Sequence, residues 1–186
     1  FTADYQIRRG NYYFAQNDYP EAIRHYEKAE KAPLGKTFPF RFEEMKIYDD
    51  VVKTRGTDDG KIMLGNLLYN KLYYVQAAEI WKQVSDRAES LRNLAVAYFS
   101  HLNQEEEALS LMKRALELQP NDSQLLYETV MLMNKLRISP KEKILLITSK
   151  KIKRDDVLTE LAKAYNQCFM PDKAIETLMS HEFVPC

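Results

Sequence analysis

The chain has 186 residues, 45% of them hydrophobic and 29% charged, with a mean hydropathy of −0.49, which is long enough to bury a sizeable core in one domain or two small ones. Lys and Arg number 27, as do Asp and Glu, so the formal net charge is zero; the basic excess that nucleic-acid or membrane-surface binding draws on is missing, and neither partner is expected. Few glycines (5) and prolines (7) against plentiful Leu, Ala, Glu and Lys favour helix over sheet, and no run of eighteen apolar residues offers a membrane span.

In chain order, a small residue recurs ahead of an alanine at a fixed distance. Over residues 3–36, Gly10 is followed twelve positions later by Ala22, then by Tyr26 and Ala29. Over 58–87, Gly65 is followed at the same distance by Ala77, then by Trp81 and Val84. Over 88–121, Ala95 precedes Ala108, Met112, Ala115 and Pro120, with one extra residue in the turn. Over 155–186, Ala162 precedes Ala174, Leu178 and His181. Residues 122–154 fit a degenerate copy: SQLLYETVMLMNKL, a Ser-Pro turn, then KEKILLITSKK. The separation of Ala108 and Ala174, 66 residues, leaves room for two periods of about 34. Ala22 and Ala77 are 55 apart, about twenty too many for one period, so 38–56 reads as an inserted helix capped by Gly56.

The spacing has a packing rationale. Two antiparallel helices approach closely only where both carry small side chains, which predicts Gly65 against Ala77, with Tyr13, Leu68 and Tyr98 in the large position three residues after the small one and Trp81 filling the space between repeats. Glycine costs about 1 kcal/mol in a helix interior, and close packing offsets it. Pro120 stops a helix, and Asn121-Asp122-Ser123 supplies the next N-cap.

The pattern resembles the tetratricopeptide repeat, in which small and aromatic residues mark the first helix and alanine, a large apolar residue and alanine mark the second. The fold this implies is all-α, an α-α superhelix or solenoid of antiparallel helix pairs, with residues 1–186 forming one array. Within 60–185, the runs LGNLLY (64–69), AAEIW (77–81), RNLAVAY (92–98), LLYE (125–128), RDD (154–156) and EFVP (182–185) are also similar to the C-terminal repeats of a bacterial family. Its members join an N-terminal β-rich domain of unknown function, found near carbohydrate-degrading enzymes, to a helical repeat tail. That family continues after Phe-x-Pro with Trp, where this chain has Cys186.

First helices of such a solenoid line a concave groove. This places Asp4, Ile7, Arg8, Asn11 and Phe14 there from the first repeat, and Ile62, Met63, Asn66, Tyr69 and Asn70 from the second. Arg92, Asn93, Val96 and Phe99 follow from the third, and Glu160, Lys163 and Asn166 from the last. The peptide-groove candidates are Asn11, Phe14, Asn66, Tyr69, Arg92, Asn93 and Phe99. Asn11 and Asn66 each follow a crossing glycine; asparagine is a poor helix former, so it grips a peptide backbone, is tolerated on a wet inner face, or bonds within the protein. Phe14, Tyr69 and Phe99 read as an aromatic stripe or as core between repeats. The Lys/Asn clamp of chaperone-binding repeats is absent, because Ile7, Met63 and Glu89 occupy its positions.

Catalysis finds little in the chain. His25, His101 and His181 sit on different repeats without a spaced Cys or acid, and no metalloprotease helix or nucleophile elbow occurs. PLGKT (33–37) lacks the first glycine of a phosphate loop, Asp155-Asp156 reads as an N-cap with a first-turn acid, and KKIKR (150–154) as a solvated helix end. Cys168 and Cys186 form no metal or redox pattern, leaving a reducing, cytoplasmic setting as the default. The start at Phe1 reads as that of an excised piece. No cofactor is expected. The function implied is a noncatalytic scaffold holding a protein or peptide, including the parent protein's own N-terminal domain; the alternative is the helical tail of a carbohydrate-active protein.

Overall fold

The computed structural model describes residues 3–30, 49, 52–53, 56–150 and 152–183. The inserted helix expected over 38–56 lies largely outside them. The described residues hold ten α-helices: α1 (Ala3–Ala15), α2 (Tyr19–Glu30), α3 (Asp58–Asn70), α4 (Tyr74–Lys82), α5 (Ala88–His101), α6 (Glu105–Leu118), α7 (Ser123–Lys135), α8 (Pro140–Ser149), α9 (Asp155–Gln167) and α10 (Pro171–Met179). No strand occurs among the described residues. The chain divides into two compact units, Phe1–Asn103 and Gln104–Cys186.

In the first unit, α1 packs on α2, α3 on α4 and α4 on α5, with α3 also reaching α5 and α2 touching α3. Ile7, Ala22, Met63, Leu64 and Leu67 share one core, flanked by Tyr13, Leu68 and Ile80. In the second unit, α6 packs on α7, α8 and α10 each pack on α9, and α7 reaches both α8 and α9. Leu116, Leu126, Val130, Met133 and Val157 are its largest fully buried side chains. Fully burying a side chain of this size contributes about 1.5–3 kcal/mol.

The twelve-residue spacing is the length of one particular turn. Asn17, Leu72, Arg137 and Phe169 all have left-handed backbone, with φ of 60°, 69°, 53° and 58°. Each closes its helix with the same pair of bonds. At the second repeat the Leu72 amide donates to the Tyr69 carbonyl at 3.0 Å and the Tyr73 amide to the Leu68 carbonyl at 2.9 Å. The bonds recur from Asn17 and Asp18, from Arg137 and Ile138, and from Phe169 and Met170. This is the Schellman arrangement, which satisfies carbonyls that a helix end leaves open. The next helix starts at once: the amides of Ala22, Ala77 and Ala174 donate to the carbonyls of Asp18, Tyr73 and Met170. In the third repeat the left-handed residue is Asn103 and the Ala108 amide donates to Gln104, one step later, which accounts for the extra residue there.

Starts are set by side chains as well. Thr57 Oγ1 accepts from the Gly60 amide at 3.1 Å, Asp122 Oδ1 from the Leu125 amide at 2.9 Å, and Ser139 Oγ from the Glu142 amide at 3.3 Å. At α9 the structure corrects the expectation. Arg154 is the N-cap residue, without a side-chain cap bond, and Asp155 and Asp156 both sit in the first turn, where the helix dipole favours them.

The bare face of Gly65 is taken by an indole rather than by Ala77. A Cβ on Gly65 would stand 2.3 Å from Trp81 Nε1 and 2.6 Å from its Cδ1. The nitrogen edge of the ring meets α3, and Nε1 donates to the Ile62 carbonyl at 3.4 Å. Ser90 Oγ on α5 donates to the Trp81 carbonyl at 2.9 Å, tying the end of α4 to the next helix.

Gly65→Ala should therefore destabilise the chain. Overpacking costs about 1–3 kcal/mol and the gain in helix preference returns about 1 kcal/mol; with the methyl this close to the ring the cost falls at the upper end, so a net loss of up to about 2 kcal/mol is expected from urea midpoints. The loss should shrink in a Trp81→Leu background; an equal loss there would show that the indole is not what excludes the methyl. Conversely, Phe169 and Leu72 are 93% and 69% exposed in backbone that favours glycine. Phe169→Gly and Leu72→Gly should each raise stability by about 0.5–1 kcal/mol, the left-handed penalty of about 1–2 kcal/mol being partly offset by glycine's greater unfolded-state entropy.

Candidate functional site

A depression of about 430 Å³ opens in the first unit where the end of α3, the turn after it and the outer face of α5 meet. Asn66, Tyr69, Arg92 and Asn93, four of the seven positions nominated from sequence, line it. Asn11 and Phe14 on α1 and Phe99 on α5 do not. Of the other expected groove positions, Ile7, Ile62 and Met63 turn into the core instead, at 0%, 0% and 2% exposure. Helices wound at 3.6 residues per turn carry those positions past the open face.

The floor of the depression is polar. Asn93 Nδ2 donates to Asn66 Oδ1 at 2.8 Å, bridging α5 and α3. Asn66 is 3% exposed, and its side chain also bonds Glu89. Arg92 Nη1 reaches Asn93 Oδ1 at 3.4 Å. A chain of dipoles thus runs from the Arg92 cation through two amides to the Glu89 carboxyl. Burial raises the Glu89 pKa above the ordinary carboxylate value, with the Asp59 carboxylate pushing the same way and Arg87, Arg92 and the Asn66 bond opposing. Asp59 is itself paired with Arg87 at 3.1 Å. Of the three roles open to Asn66, the structure shows the internal bond. Both its neighbours are protein groups, so it holds Asn93 in place.

The wall is aromatic. Tyr69 packs on Trp81 and Tyr74, with ring centroids 5.8 and 5.2 Å away. Its hydroxyl pairs with His101 Nε2 at 3.1 Å, and His101 stacks on Tyr74 at 3.6 Å. Burial, then the Tyr74 hydroxyl, raises the Tyr69 pKa. Tyr69 therefore belongs to a cluster with Tyr74, Trp81 and His101 rather than to a stripe with Phe14 and Phe99. Sequence reasoning passed over Tyr74 and His101 as site members. The signal for Tyr74 was its place just across the short turn from Tyr69 (KLYY, 71–74), which brings the two rings to 5.2 Å.

In the second unit, Glu160 and Lys163 on α9 border another depression. Asn134 Nδ2 on α7 donates to Glu160 Oε2 at 2.7 Å, Lys163 Nζ pairs with Glu160 Oε1 at 2.7 Å, and Lys143 Nζ on α8 donates to Asn134 Oδ1 at 2.8 Å. Asn166 lines a separate apolar hollow with Ile175 and Leu178. The other histidines have structural partners: Gln6 Oε1 lies 2.7 Å from His25 Nδ1, and Asp155 Oδ1 lies 2.7 Å from His181 Nε2. The His181 pairing supplies an acid that its sequence neighbourhood does not show. Among the described residues, no group of three or more His, Cys, Asp and Glu converges, and no helix is long and apolar enough to cross a membrane.

Burial works against a charged Glu160, but the bonds from Lys163 and Asn134 and the charges of Lys163 and Lys143 outweigh it, lowering its pKa. A lowered folded-state value stabilises the fold above the ordinary carboxylate range, and this is lost as pH falls through the lowered value. Glu160→Gln should accordingly be less stable than the parent at neutral pH. The gap between their urea midpoints should close on acidification below that range; a gap that persists at the acid end would mean the charge is not what matters.

Two tetratricopeptide-repeat family models match the chain, at residues 3–32 and 87–119. The fold is similar to that of MamA in two crystal structures, one 16% identical with a TM-score of 0.57 over 91% of this chain and 90% of that one, the other 15% identical with a TM-score of 0.58 over 98% of each. It is also similar to the pilF protein of Pseudomonas aeruginosa, 15% identical, TM-score 0.52, covering 96% and 89%. A putative kinesin light chain of Podosopora anserina with nearly identical TPR-like repeats is 16% identical, TM-score 0.54, covering 95% and 91%. None of these similarities supports a carbohydrate-linked role or an attached β-rich domain. The described residues thus form an all-α fold of antiparallel helix pairs like that of these structures, and the chain matches the tetratricopeptide repeat over residues 3–32 and 87–119.

Proposed function

We propose that this repeat scaffold takes a protein segment into the depression between α3 and α5, with Arg92 and Asn93 as polar contacts and Tyr69, Tyr74 and Leu72 as the apolar wall. Tetratricopeptide repeats point to protein partners; the finer assignment rests on one observation. A cation, a pre-oriented amide and an aromatic wall converge in about 430 Å³, the mixture of apolar surface and few fixed polar groups that recognition sites favour. The internal Asn66–Asn93 bond supports this reading, because an amide already held in place loses little freedom on binding. A segment of the parent protein's own N-terminal region would meet the same groups as a separate partner.

A photo-crosslinking residue at Val96, which lines the depression, should capture a protein from lysate of the source cells, and one at Leu145, exposed on α8 of the other unit, should not. Arg92→Ala should cut capture at Val96 at least tenfold while the circular-dichroism spectrum stays unchanged, and Phe14→Ala should leave it as it was. Equal capture at both positions, or no effect of Arg92→Ala, would place the partner elsewhere. Capture of the parent's own N-terminal region at Val96 would identify the intramolecular form.

A further inference from the structure

The degenerate repeat departs from the others at one informative position. Ala22, Ala77, Ala108 and Ala174 are the residues whose amides make the first bond of each second helix. The equivalent residue in α8 is Lys143, whose amide donates to Ser139, the N-cap residue. A side chain with an ammonium group thus stands where every other repeat has a methyl. Lys143 is 8% exposed. Among the described residues its ammonium makes one hydrogen bond, to the neutral Asn134 amide, and the Glu160 carboxylate acts on it without a direct ion pair. Burying a cation is costly unless charge and hydrogen bonds compensate it, and two of its three donor hydrogens have no protein acceptor among the described residues.

Lys143 borders a pocket of about 490 Å³ with Asn134, Arg137, Glu160, Lys163 and Gln167. The single carboxylate, Glu160, is already bonded by Asn134 and Lys163. Three cations against one acid leave an excess of two positive charges, carried by Lys143 and Arg137. Arg137 makes no ion pair among the described residues, and it occupies a left-handed position, φ 53°, where glycine would be the relaxed choice. Surplus charge, a buried donor and a chain of hydrogen bonds from Lys143 through Asn134 and Glu160 to Lys163 border the same space. The donors come from a turn and a second helix, so this is a different arrangement from a clamp built along first helices.

We propose that this pocket binds the oxyanionic group, carboxylate or phosphoryl, of an acidic segment of a partner protein, held by Arg137 and Lys143. A guanidinium and an ammonium presented from two sides suit a trigonal or tetrahedral oxyanion. Asn134 sets the geometry: it takes one hydrogen from Lys143 and passes its own to Glu160, leaving the ammonium aimed outward. The proposal rests on the chain being a protein-interaction scaffold, and is independent of the depression in the first unit.

Nuclear magnetic resonance titration of the whole chain tests it with four probes: a Glu/Ser peptide, its Gln/Ser counterpart, the phosphoserine form of that counterpart, and inorganic phosphate. Amide signals around Arg137, Lys143 and Lys163 should shift with the Glu/Ser or the phosphoserine peptide, whichever oxyanion fits, and not with Gln/Ser. Lys143→Ala, which restores the residue of the other repeats, and Arg137→Gly should each weaken binding at least tenfold. Arg137→Gly relieves the backbone, so its loss of binding cannot come from unfolding. Equal binding of the Gln/Ser peptide, full affinity in Arg137→Gly, or shifts with inorganic phosphate alone would overturn the proposal. Arg92→Ala, which reports on the first unit, should leave these shifts unchanged; a parallel loss would show that the shifts belong to the other depression.

Discussion

A single left-handed residue at the end of a first helix is the constraint on which the repeats depend. It fixes how many residues separate the small position of one helix from the buried alanine of the next, and hence which side chains face each other. Gly10 and Ala22, Gly65 and Ala77, and Ala162 and Ala174 keep the same distance because Asn17, Leu72 and Phe169 close their helices with the same two bonds. Glycine holds this position in none of the four Schellman turns. The penalty of about 1–2 kcal/mol for a left-handed residue is met locally, since the turn satisfies carbonyls that would otherwise be open and leads directly into the second helix.

That regularity is why the architecture was legible in the sequence. Composition indicated helix, and spacing indicated pairs and a turn of fixed length, including the extra residue before Ala108. The contents of the crossings were less legible. Gly65 read as a match for a second small residue, whereas it makes room for the Trp81 indole; a list of spacings records that a side chain is missing but not what fills the gap. The same limit applied to the groove. Projecting whole first helices outward placed Ile7, Ile62 and Met63 on an open face, although apolar side chains at those positions gain more by turning inward. Tyr74 and His101 come together through stacking between residues distant in sequence, which no local pattern encodes.

The polar crosslinks between first helices have a common design and different outcomes. In the first unit an amide pair joins α3 to α5, and in the second an amide joins α7 to the α9 carboxylate Glu160. Each of these partly buried bonds borders a depression. The first is walled by aromatic rings and carries one cation. The second has exchanged the repeat's alanine for lysine and is lined by three. The 122–154 segment therefore differs in chemistry at the position where the other second helices make their first backbone bond with an alanine.

The helix packing also governs how quickly the chain finds its fold. In each unit a helix packs on helices one or two places away along the chain. Contacts of such short sequence separation close small loops, whose entropic cost is low, and low contact order is associated with folding in microseconds to milliseconds. A helical hairpin whose turn already holds its two bonds, as at Leu72 and Tyr73, is therefore a ready nucleus. Each unit holds more than one helix end of this kind, at Asn17 and Leu72 in the first and at Arg137 and Phe169 in the second, so folding within a unit can begin at more than one place and spread to neighbouring helices.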